Sequence, residues 1–170
     1  MRVASLDTLE DVRSLSGVFE DYLTFVCADI ERAFGLSFEP DGLIADTLAG
    51  LHKVIPPHGR TLVALAESGA LLGMVFPRRS GPDAMEIKRL YVLPEARGTG
   101  AGRALVAAGL DAAREAGVGA VRLDTTRNLE AAIALYRAFG FEECEPYEES
   151  DLREVFALAP HAVYMEKRLG

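Results

Sequence analysis

Three glycines lie between a strand pattern and a helix pattern near the middle of the chain. The strand pattern covers residues 84–92, and the turn that follows contains Gly98, Gly100 and Gly102. Glycine lets the backbone approach a ligand closely because it has no Cβ. The first amides of a helix lack intrahelical acceptors and lie at the positive end of its dipole. We therefore expect a main-chain anion site here, suited to a phosphate or pyrophosphate.

The spacing of these glycines excludes two common phosphate-binding loops. A Walker loop ends in Gly-Lys-Ser/Thr, whereas this run ends in Gly102-Arg103-Ala104. A dinucleotide fingerprint has glycines at relative positions one, three and six. Counted from Gly98 or Gly100, the sixth position is Arg103 or Leu105. The pattern that remains is Arg97-x-x-Gly100-x-Gly102 directly after a strand, and its alternative interpretation is an ordinary strand-to-helix turn.

A second segment contains a strand, a helix and the start of a further strand. The strand covers residues 121–126 and the helix residues 129–139, after which Gly140 ends the helix and Phe141 begins the next strand. The helix carries Tyr136 a few residues before this Gly-Phe pair. The glycine loop and the tyrosine helix resemble, in order and separation, the two signatures of the GNAT acetyltransferase superfamily. Together they cover roughly residues 85–141, about a third of the chain.

The resemblance implies one α/β domain over residues 1–170. Its expected core is a mixed, mostly antiparallel central sheet flanked by helices, in which the central parallel strands 84–92 and 121–125 splay apart. The hydrophobic periodicity agrees with this fold class. It predicts a helical stretch over 8–34 that Gly17 interrupts, a helix over 43–54, and strands at 3–6, 61–66, 71–77, 141–146 and 163–168.

The resemblance also implies acetyl-CoA as the cofactor. The amides of the glycine loop would hold its pyrophosphate, and the two arginines of the loop would add positive charge. Backbone N–H groups at the end of the central strand would polarise the thioester carbonyl. The expected cofactor-binding residues are Leu90, Tyr91, Val92, Arg97, Gly98, Thr99, Gly100, Ala101, Gly102 and Arg103.

Tyr136 is the candidate proton donor to the departing thiolate. A phenol with an ordinary pKa near 10 stays protonated at neutral pH and can donate a proton or a hydrogen bond. The alternative is an aromatic packing residue, because Ile133, Leu135 and Phe139 surround it on the same helix.

Glu86 is the candidate general base, since an acid in a mostly apolar strand beside the expected cleft suggests a functional role. The alternative is a salt bridge to a neighbouring lysine or arginine. Strand alternation divides the residues between two faces, with Glu86, Lys88, Leu90 and Val92 on one and Ile87, Arg89 and Tyr91 on the other.

Two further residues are expected at the substrate pocket. Asp124, at the end of the next strand, is a second candidate base, and Tyr22 lies on the N-terminal helix. Many GNAT members carry a cofactor-contacting asparagine seven residues before the tyrosine, a position that is Leu129 here. Asn128 lies where a helix N-cap belongs, so we expect it to cap the helix, and its contact with the cofactor stays open.

Composition limits the functional classes. The chain of 170 residues has 49% hydrophobic and 26% charged residues, which suits one globular domain. The net charge of −8 argues against nucleic acid and is compatible with an amine substrate. A cluster of acids at 142–154 is interpreted as a solvated loop. Cys27 and Cys144 match no metal pattern, and neither a signal core nor a membrane span is evident, so we expect a cytoplasmic protein without a metal.

Three functional classes remain. The first is an acetyl-CoA-dependent N-acetyltransferase that acts on a primary amine of a small molecule or peptide, with a homodimer as a possible assembly. A close variant of this class uses another acyl-CoA or an alcohol acceptor. The second is a non-catalytic acyl-CoA-binding module of the same fold, which would survive loss of Tyr136 and Glu86. The third, an RNA-directed acetyltransferase, is disfavoured by the acidic charge balance.

Overall fold

The computed structural model describes residues 1–170 and contains seven strands and five α-helices. The strands are β1 (Arg2–Leu6), β2 (Thr61–Leu65), β3 (Leu71–Arg79), β4 (Ala84–Val92), β5 (Ala120–Thr126), β6 (Glu142–Glu143) and β7 (Ala162–Arg168). The helices are α1 (Leu9–Arg13), α2 (Ser16–Phe34), α3 (Pro40–Ala49), α4 (Ala101–Glu115) and α5 (Glu130–Ala138). Short 3₁₀ helices occupy Leu51–Val54, Pro94–Ala96, Asp151–Glu154 and Phe156–His161.

All seven strands form one sheet in the order β1-β2-β3-β4-β5-β7-β6. Every neighbouring pair is antiparallel except β4 and β5, which are parallel. These two strands pair only over Ala84–Glu86 and Ala120–Arg122, and they separate beyond that point. The predicted mixed α/β fold with splayed central parallel strands is therefore confirmed.

Helices cover both faces of the sheet, and each face has its own apolar core. On one face, α4 and α5 pack on the sheet through residues such as Leu105, Val106 and Ile133. On the other face, the N-terminal helices bury Val12 and Phe19 against β3 and β4. Full burial of a large apolar side chain contributes about 1.5–3 kcal/mol, so both layers hold the central strands in place.

A β-bulge in β4 reverses its side-chain alternation. Met74 of β3 lies opposite Tyr91 and Phe76 lies opposite Lys88, so two residues of β4 oppose one residue of β3. Arg89, one of these two, has φ 51, and it is the only residue other than glycine with positive φ. The bulge therefore carries an extra, unpaired residue.

The predicted division of β4 into two faces is wrong beyond this bulge. Leu90 and Val92 pack with Ile87 on the α4 side, whereas Tyr91 joins the core under the N-terminal helices. A strict period of two cannot anticipate the shift, because the extra residue changes the phase of the pattern.

Three predicted elements also differ in their boundaries. The helix predicted over 43–54 is α3, which begins at Pro40 and ends at Ala49, followed by a 3₁₀ helix over Leu51–Val54. The N-terminal helical stretch breaks at Ser14–Leu15 rather than at Gly17, because the Ser14 hydroxyl bonds back to the Asp11 carbonyl at 2.5 Å. The strand predicted at 141–146 is only the two residues Glu142–Glu143. None of the helices combines the length and the apolar character needed to cross a membrane.

Candidate active site

The glycine loop adopts the geometry of a main-chain anion site. Gly98 and Gly100 have φ of 79° and 89°, which residues with a Cβ rarely adopt, and Gly100 is the N-cap of α4. The amides of Gly100, Ala101, Gly102 and Arg103 have no acceptor within the protein. Four donors at the positive end of a 15-residue helix thus converge on the loop. Thr99 differs, because its amide and hydroxyl both donate to the Ala96 carbonyl.

Two arginines flank this loop and are free to contact an anion. The Arg97 guanidinium lies 5.2 Å from the ring centre of Phe25, and that of Arg103 lies 5.1 Å from the ring centre of Phe139. Both arginines are exposed, and neither has a carboxylate within 4.0 Å. Free amides, positive φ and unpaired arginines fit a cofactor that carries several phosphates.

The strand edge beside the loop is also open. Because β5 pairs with β4 only as far as Glu86, the β5-facing edge of β4 from Ile87 to Val92 has no strand neighbour. Leu90 and Val92 face α4, and the Tyr91 ring lies 5.4 Å from the Tyr22 ring. The main chain of these three residues thus lines the gap between the two parallel strands.

Glu86 lies at the bottom of this gap and is entirely buried. Its carboxylate is paired with Arg78 at 2.9 Å and with Lys88 at 3.3 Å, and it accepts a hydrogen bond of 2.7 Å from the Tyr147 hydroxyl. Burial raises the pKa of Glu86, while the charges of Lys88 and Arg78 act against that rise. Burial and the Glu86 charge also raise the pKa of Tyr147.

Asp124 lies nearer the open end of the same polar cluster. Its carboxylate accepts hydrogen bonds from Lys88 Nζ at 3.0 and 3.1 Å and from Ser150 Oγ at 2.5 Å. Burial acts to lower the pKa of Lys88, but the Asp124 and Glu86 carboxylates hold it above its ordinary value. Asp151 reaches both Lys88 at 3.4 Å and Arg78 at 3.0 Å. The cluster therefore places three carboxylates around two cations.

Two adjoining cavities open on the side of the sheet covered by α2 and α3. The larger, of about 320 Å³, contains Arg78, Lys88 and Asp151 in its wall. The smaller, of about 250 Å³, contains Tyr22 and Asp124 and is otherwise mostly apolar. Four residues line both cavities, namely Leu43, Lys88, Arg89 and Asp151. Glu86 and Tyr136 line neither of them.

The two predicted site tyrosines differ in their partners. The Tyr22 hydroxyl interacts with the Arg89 side chain, whose charge acts to lower the Tyr22 pKa. Tyr136 makes no hydrogen bond within the protein, yet the only fully buried unpaired side-chain atoms are Ser80 Oγ and Asn128 Oδ1. The Tyr136 phenol oxygen therefore reaches accessible space. Burial raises the pKa of Tyr136 and that of Tyr22, so both phenols stay protonated at neutral pH.

The predicted capping role of Asn128 is wrong. The N-cap of α5 is Leu129, and no side chain caps that helix. Asn128 Nδ2 instead donates to Asp29 on α2, a partner 99 residues away in the sequence. A non-local carboxylate outcompetes the local cap here, and the Asn128 Oδ1 atom is left buried without a partner.

Five residues of the polar cluster were not singled out as site residues from the sequence: Arg78, Lys88, Tyr147, Ser150 and Asp151. The charged run Glu86–Arg89 inside a core strand was a signal for Lys88. The acids at 142–154 were interpreted as a solvated loop, yet this segment supplies Asp151, which ties the connection before β7 to β3 and β4.

An open edge between parallel strands lies next to a helix-terminal anion site, and together they fit an extended cofactor that carries phosphates. The comparisons with known proteins agree. The sequence model described as "Acetyltransferase (GNAT) family" matches residues 24–141, and the chain belongs to this family. The predicted family and enzyme class are therefore confirmed, and the acetyl donor is acetyl-CoA.

Individual relatives support this assignment over most of the chain. An uncharacterized N-acetyltransferase of Schizosaccharomyces pombe is 40% identical over 170 residues, covering 99% of this chain and 94% of the relative. An IAA acetyltransferase of Azospirillum brasilense is 30% identical over 88% of this chain and 92% of its own. A Thermoplasma acidophilum N-acetyltransferase solved in complex with coenzyme A shares the fold, with a TM-score of 0.70, 18% identity and coverage of 99% and 100%.

Proposed function

We propose that this protein transfers the acetyl group of acetyl-CoA directly to a primary amine of a small molecule or peptide. The observation that supports this most is the wall of the ≈ 250 Å³ cavity, where a carboxylate, Asp124, and a phenol, Tyr22, lie beside the open edge of β4. A carboxylate at this position suits an amine, which must lose a proton as it attacks the thioester.

The donor would be held at both of its ends. The amides of Gly98 and of residues 100–103, together with the charges of Arg97 and Arg103, would bind the phosphates. The main chain of Leu90, Tyr91 and Val92 would position and polarise the thioester carbonyl. Bound acetyl-CoA supplies an activated acetyl group, and fixing it at two points orients that group toward the acceptor cavity. Preorganised backbone donors commonly lower such a barrier by about 3–4 kcal/mol.

Asp124 is the better supported of the two candidate bases. It lines the acceptor cavity, whereas Glu86 has no exposed surface and lines neither cavity. In this proposal Asp124 receives the amine proton. Glu86 holds Lys88 and Arg78 in place beneath it, because both cations contact its carboxylate. A direct role for Glu86 would require a relay through another group, because its own carboxylate has no exposed surface.

Tyr136 would donate the proton that the departing thiolate needs. Its hydroxyl is free of protein partners, and burial keeps it protonated at neutral pH. Tyr22 would line the acceptor pocket across from Asp124. The assignment of Tyr136 rests on its free phenol and on the position of α5 beside the splayed strands. The assignment of Tyr22 rests on its place in the cavity wall.

The first test is thermal unfolding with and without acetyl-CoA, with NAD and ATP as controls. A ligand at a hundred times its dissociation constant adds about 2.7 kcal/mol, which corresponds to about 5–10 °C for a chain of this size. A panel of small amines and peptides is then assayed for release of free CoA thiol. A shift with acetyl-CoA and turnover of an amine support the proposal. A shift without any turnover supports the non-catalytic acyl-CoA-binding module instead.

The cytoplasmic location and the homodimer stay predictions. The exposed aromatic Phe25 on α2 is one residue that a dimer contact would cover. Sedimentation velocity at several protein concentrations distinguishes a monomer from a dimer.

A further inference from the structure

Arg89 is a cation without a carboxylate partner at the acceptor cavities, where its side chain interacts with the Tyr22 hydroxyl. The partly buried lysines and arginines are Arg60, Arg78, Lys88, Arg89, Arg122 and Lys167. All have a carboxylate within 4.0 Å except Arg89 and Lys167. Lys167 lies on β7, the strand next to the edge strand β6, and lines neither acceptor cavity. Arg89 lines both cavities. Four acids share the cavity walls with Arg89. Asp124 and Asp151 already bind Lys88, and neither Asp46 nor Glu154 lies within 4.0 Å of a cation.

The backbone directs this guanidinium to the cavities at an energetic cost. Arg89 is the bulge residue of β4, with φ 51, a conformation that costs about 1–3 kcal/mol for a residue with a Cβ. A guanidinium that is partly removed from water without a counter-charge adds a desolvation penalty. Both costs are offset when an anion binds, because a carboxylate accepts two parallel hydrogen bonds from the guanidinium fork.

The rest of the cavity indicates what accompanies this anion. Apolar side chains form most of the wall of the smaller cavity, and those from α2 and from the segment before β7 include Leu23, Ile30, Leu152 and Val155. Asp124 provides the carboxylate that the amine requires under the proposed function. A ligand that satisfies all three features has an amine, a carboxylate and an apolar part. Such a ligand is a zwitterion without net charge, so the protein's net charge of −8 neither attracts nor repels it strongly at long range. A cation inside the cavity is what would recognise its carboxylate.

We propose that the acceptor is a small apolar amine that also carries a carboxylate, and that Arg89 binds this carboxylate. The inference rests on the proposed function for the amine, but the carboxylate subsite can be tested by binding alone. The class includes apolar α-amino acids and longer amino acids whose amine and carboxylate lie at opposite ends of an alkyl chain.

The experiment compares each amino acid with the amine that lacks its carboxylate. The pairs are leucine with isoamylamine, phenylalanine with phenethylamine, and 6-aminohexanoate with pentylamine. The ratio of kcat/KM within each pair is measured for the wild type, Arg89→Gln, Arg89→Lys and the control Lys167→Gln. We expect the wild type to favour at least one amino acid over its amine by about tenfold or more, and Arg89→Gln to remove that preference. Arg89→Lys should retain part of it, and Lys167→Gln should leave it unchanged.

A binding measurement keeps the two proposals separate. Calorimetric titration of the CoA-saturated protein with N-acetyl-leucine, N-acetyl-phenylalanine and 6-acetamidohexanoate should give binding that Arg89→Gln weakens by about tenfold or more and Lys167→Gln does not. Binding of this kind with no turnover of any amine upholds the carboxylate subsite and overturns the proposed function. Turnover of plain amines with no preference for any amino acid, or a preference that Arg89→Gln leaves intact, overturns the subsite alone.

Discussion

The Tyr147 hydroxyl donates a hydrogen bond of 2.7 Å to Glu86, a carboxylate with no exposed surface, across 61 residues of sequence. This bond fastens the connection before β7 to the middle of β4. A hydrogen bond to a charged group contributes about 1.5–3 kcal/mol to stability. Its loss leaves the buried Glu86 carboxylate with one hydrogen-bond donor fewer. The floor of the cleft is thus built by two segments that are distant in sequence.

Tyr147→Phe should lower the free energy of unfolding by about 1.5–3 kcal/mol, because it removes this donor and leaves the ring in place. Urea unfolding measures the change. The control is Tyr91→Phe, whose hydroxyl makes no hydrogen bond within the protein, and its effect should stay within about 0.5 kcal/mol. Equal losses in the two variants would mean that the Glu86 contact contributes nothing specific.

Asp124→Asn should lower kcat by about a hundredfold or more, as removal of a general base commonly does. Glu86→Gln should lower turnover by less than about tenfold and mainly reduce stability, because Glu86 does not reach the cavity. Asp151→Asn is the control for loss of a negative charge near Lys88, because it removes another carboxylate that pairs with this lysine. The opposite order, with Glu86→Gln folded but inactive and Asp124→Asn active, would assign the base to Glu86.

Tyr136→Phe should lower kcat by about a hundredfold without weakening acetyl-CoA binding, since only the proton donor is lost. The ring keeps its packing against Phe141, at 5.9 Å between centres, so the unfolding midpoint should hardly change. Steady-state kinetics together with calorimetric titration of acetyl-CoA separate the two effects. Unchanged kcat would make Tyr136 a packing residue only.

Gly100→Ala should weaken acetyl-CoA binding by about tenfold or more, because φ 89 is strained for alanine and a shifted backbone turns the loop amides away from the phosphates. Gly69 in the β2–β3 turn has φ 88 and open space around it, so Gly69→Ala provides a matched control for strain. Both variants should lose similar stability, and only Gly100→Ala should lose affinity in calorimetric titration. Similar affinities in the two variants would argue against a cofactor role for the loop.

The pH dependence of stability should carry a contribution from Asp151. Burial acts to raise the pKa of Asp151, but the Lys88 and Arg78 charges outweigh burial and hold the pKa below its ordinary 3.8. A depressed folded-state pKa stabilises the fold above the unfolded value, and this stability is lost as pH falls through the folded value.

Below about pH 4, wild-type stability should therefore fall more steeply than that of Asp151→Asn. Urea unfolding between pH 2.5 and 6 measures the two curves. Asp41→Asn, which removes an exposed acid of α3 without an ion pair, should leave the slope as in the wild type. Parallel curves for wild type and Asp151→Asn would show that the ion pairs are screened by solvent.

Local patterns predicted the parts of this protein that local forces determine. The glycine loop, the two parallel strands and the tyrosine helix lie where apolar periodicity and helix-end residues indicated. The polar cluster depends on distant partners, since Glu86 meets Tyr147 and Arg78 meets Asp151 only after folding. Asn128 shows the same limit. Its position favours capping the start of α5, but its side chain bonds to the Asp29 carboxylate on α2 instead.

The bulge in β4 also explains why its pattern was misjudged. If Arg89 is skipped in the count, residues 85–92 alternate regularly, with Ile87, Leu90 and Val92 on one side and Glu86, Lys88 and Tyr91 on the other. Arg89 is thus an insertion in an otherwise regular strand, and deleting it would restore ordinary pairing without turning any neighbour to the wrong face. Such a deletion would remove one guanidinium and one interruption of the hydrogen-bond ladder between β3 and β4. Both lie where β4 and β5 separate.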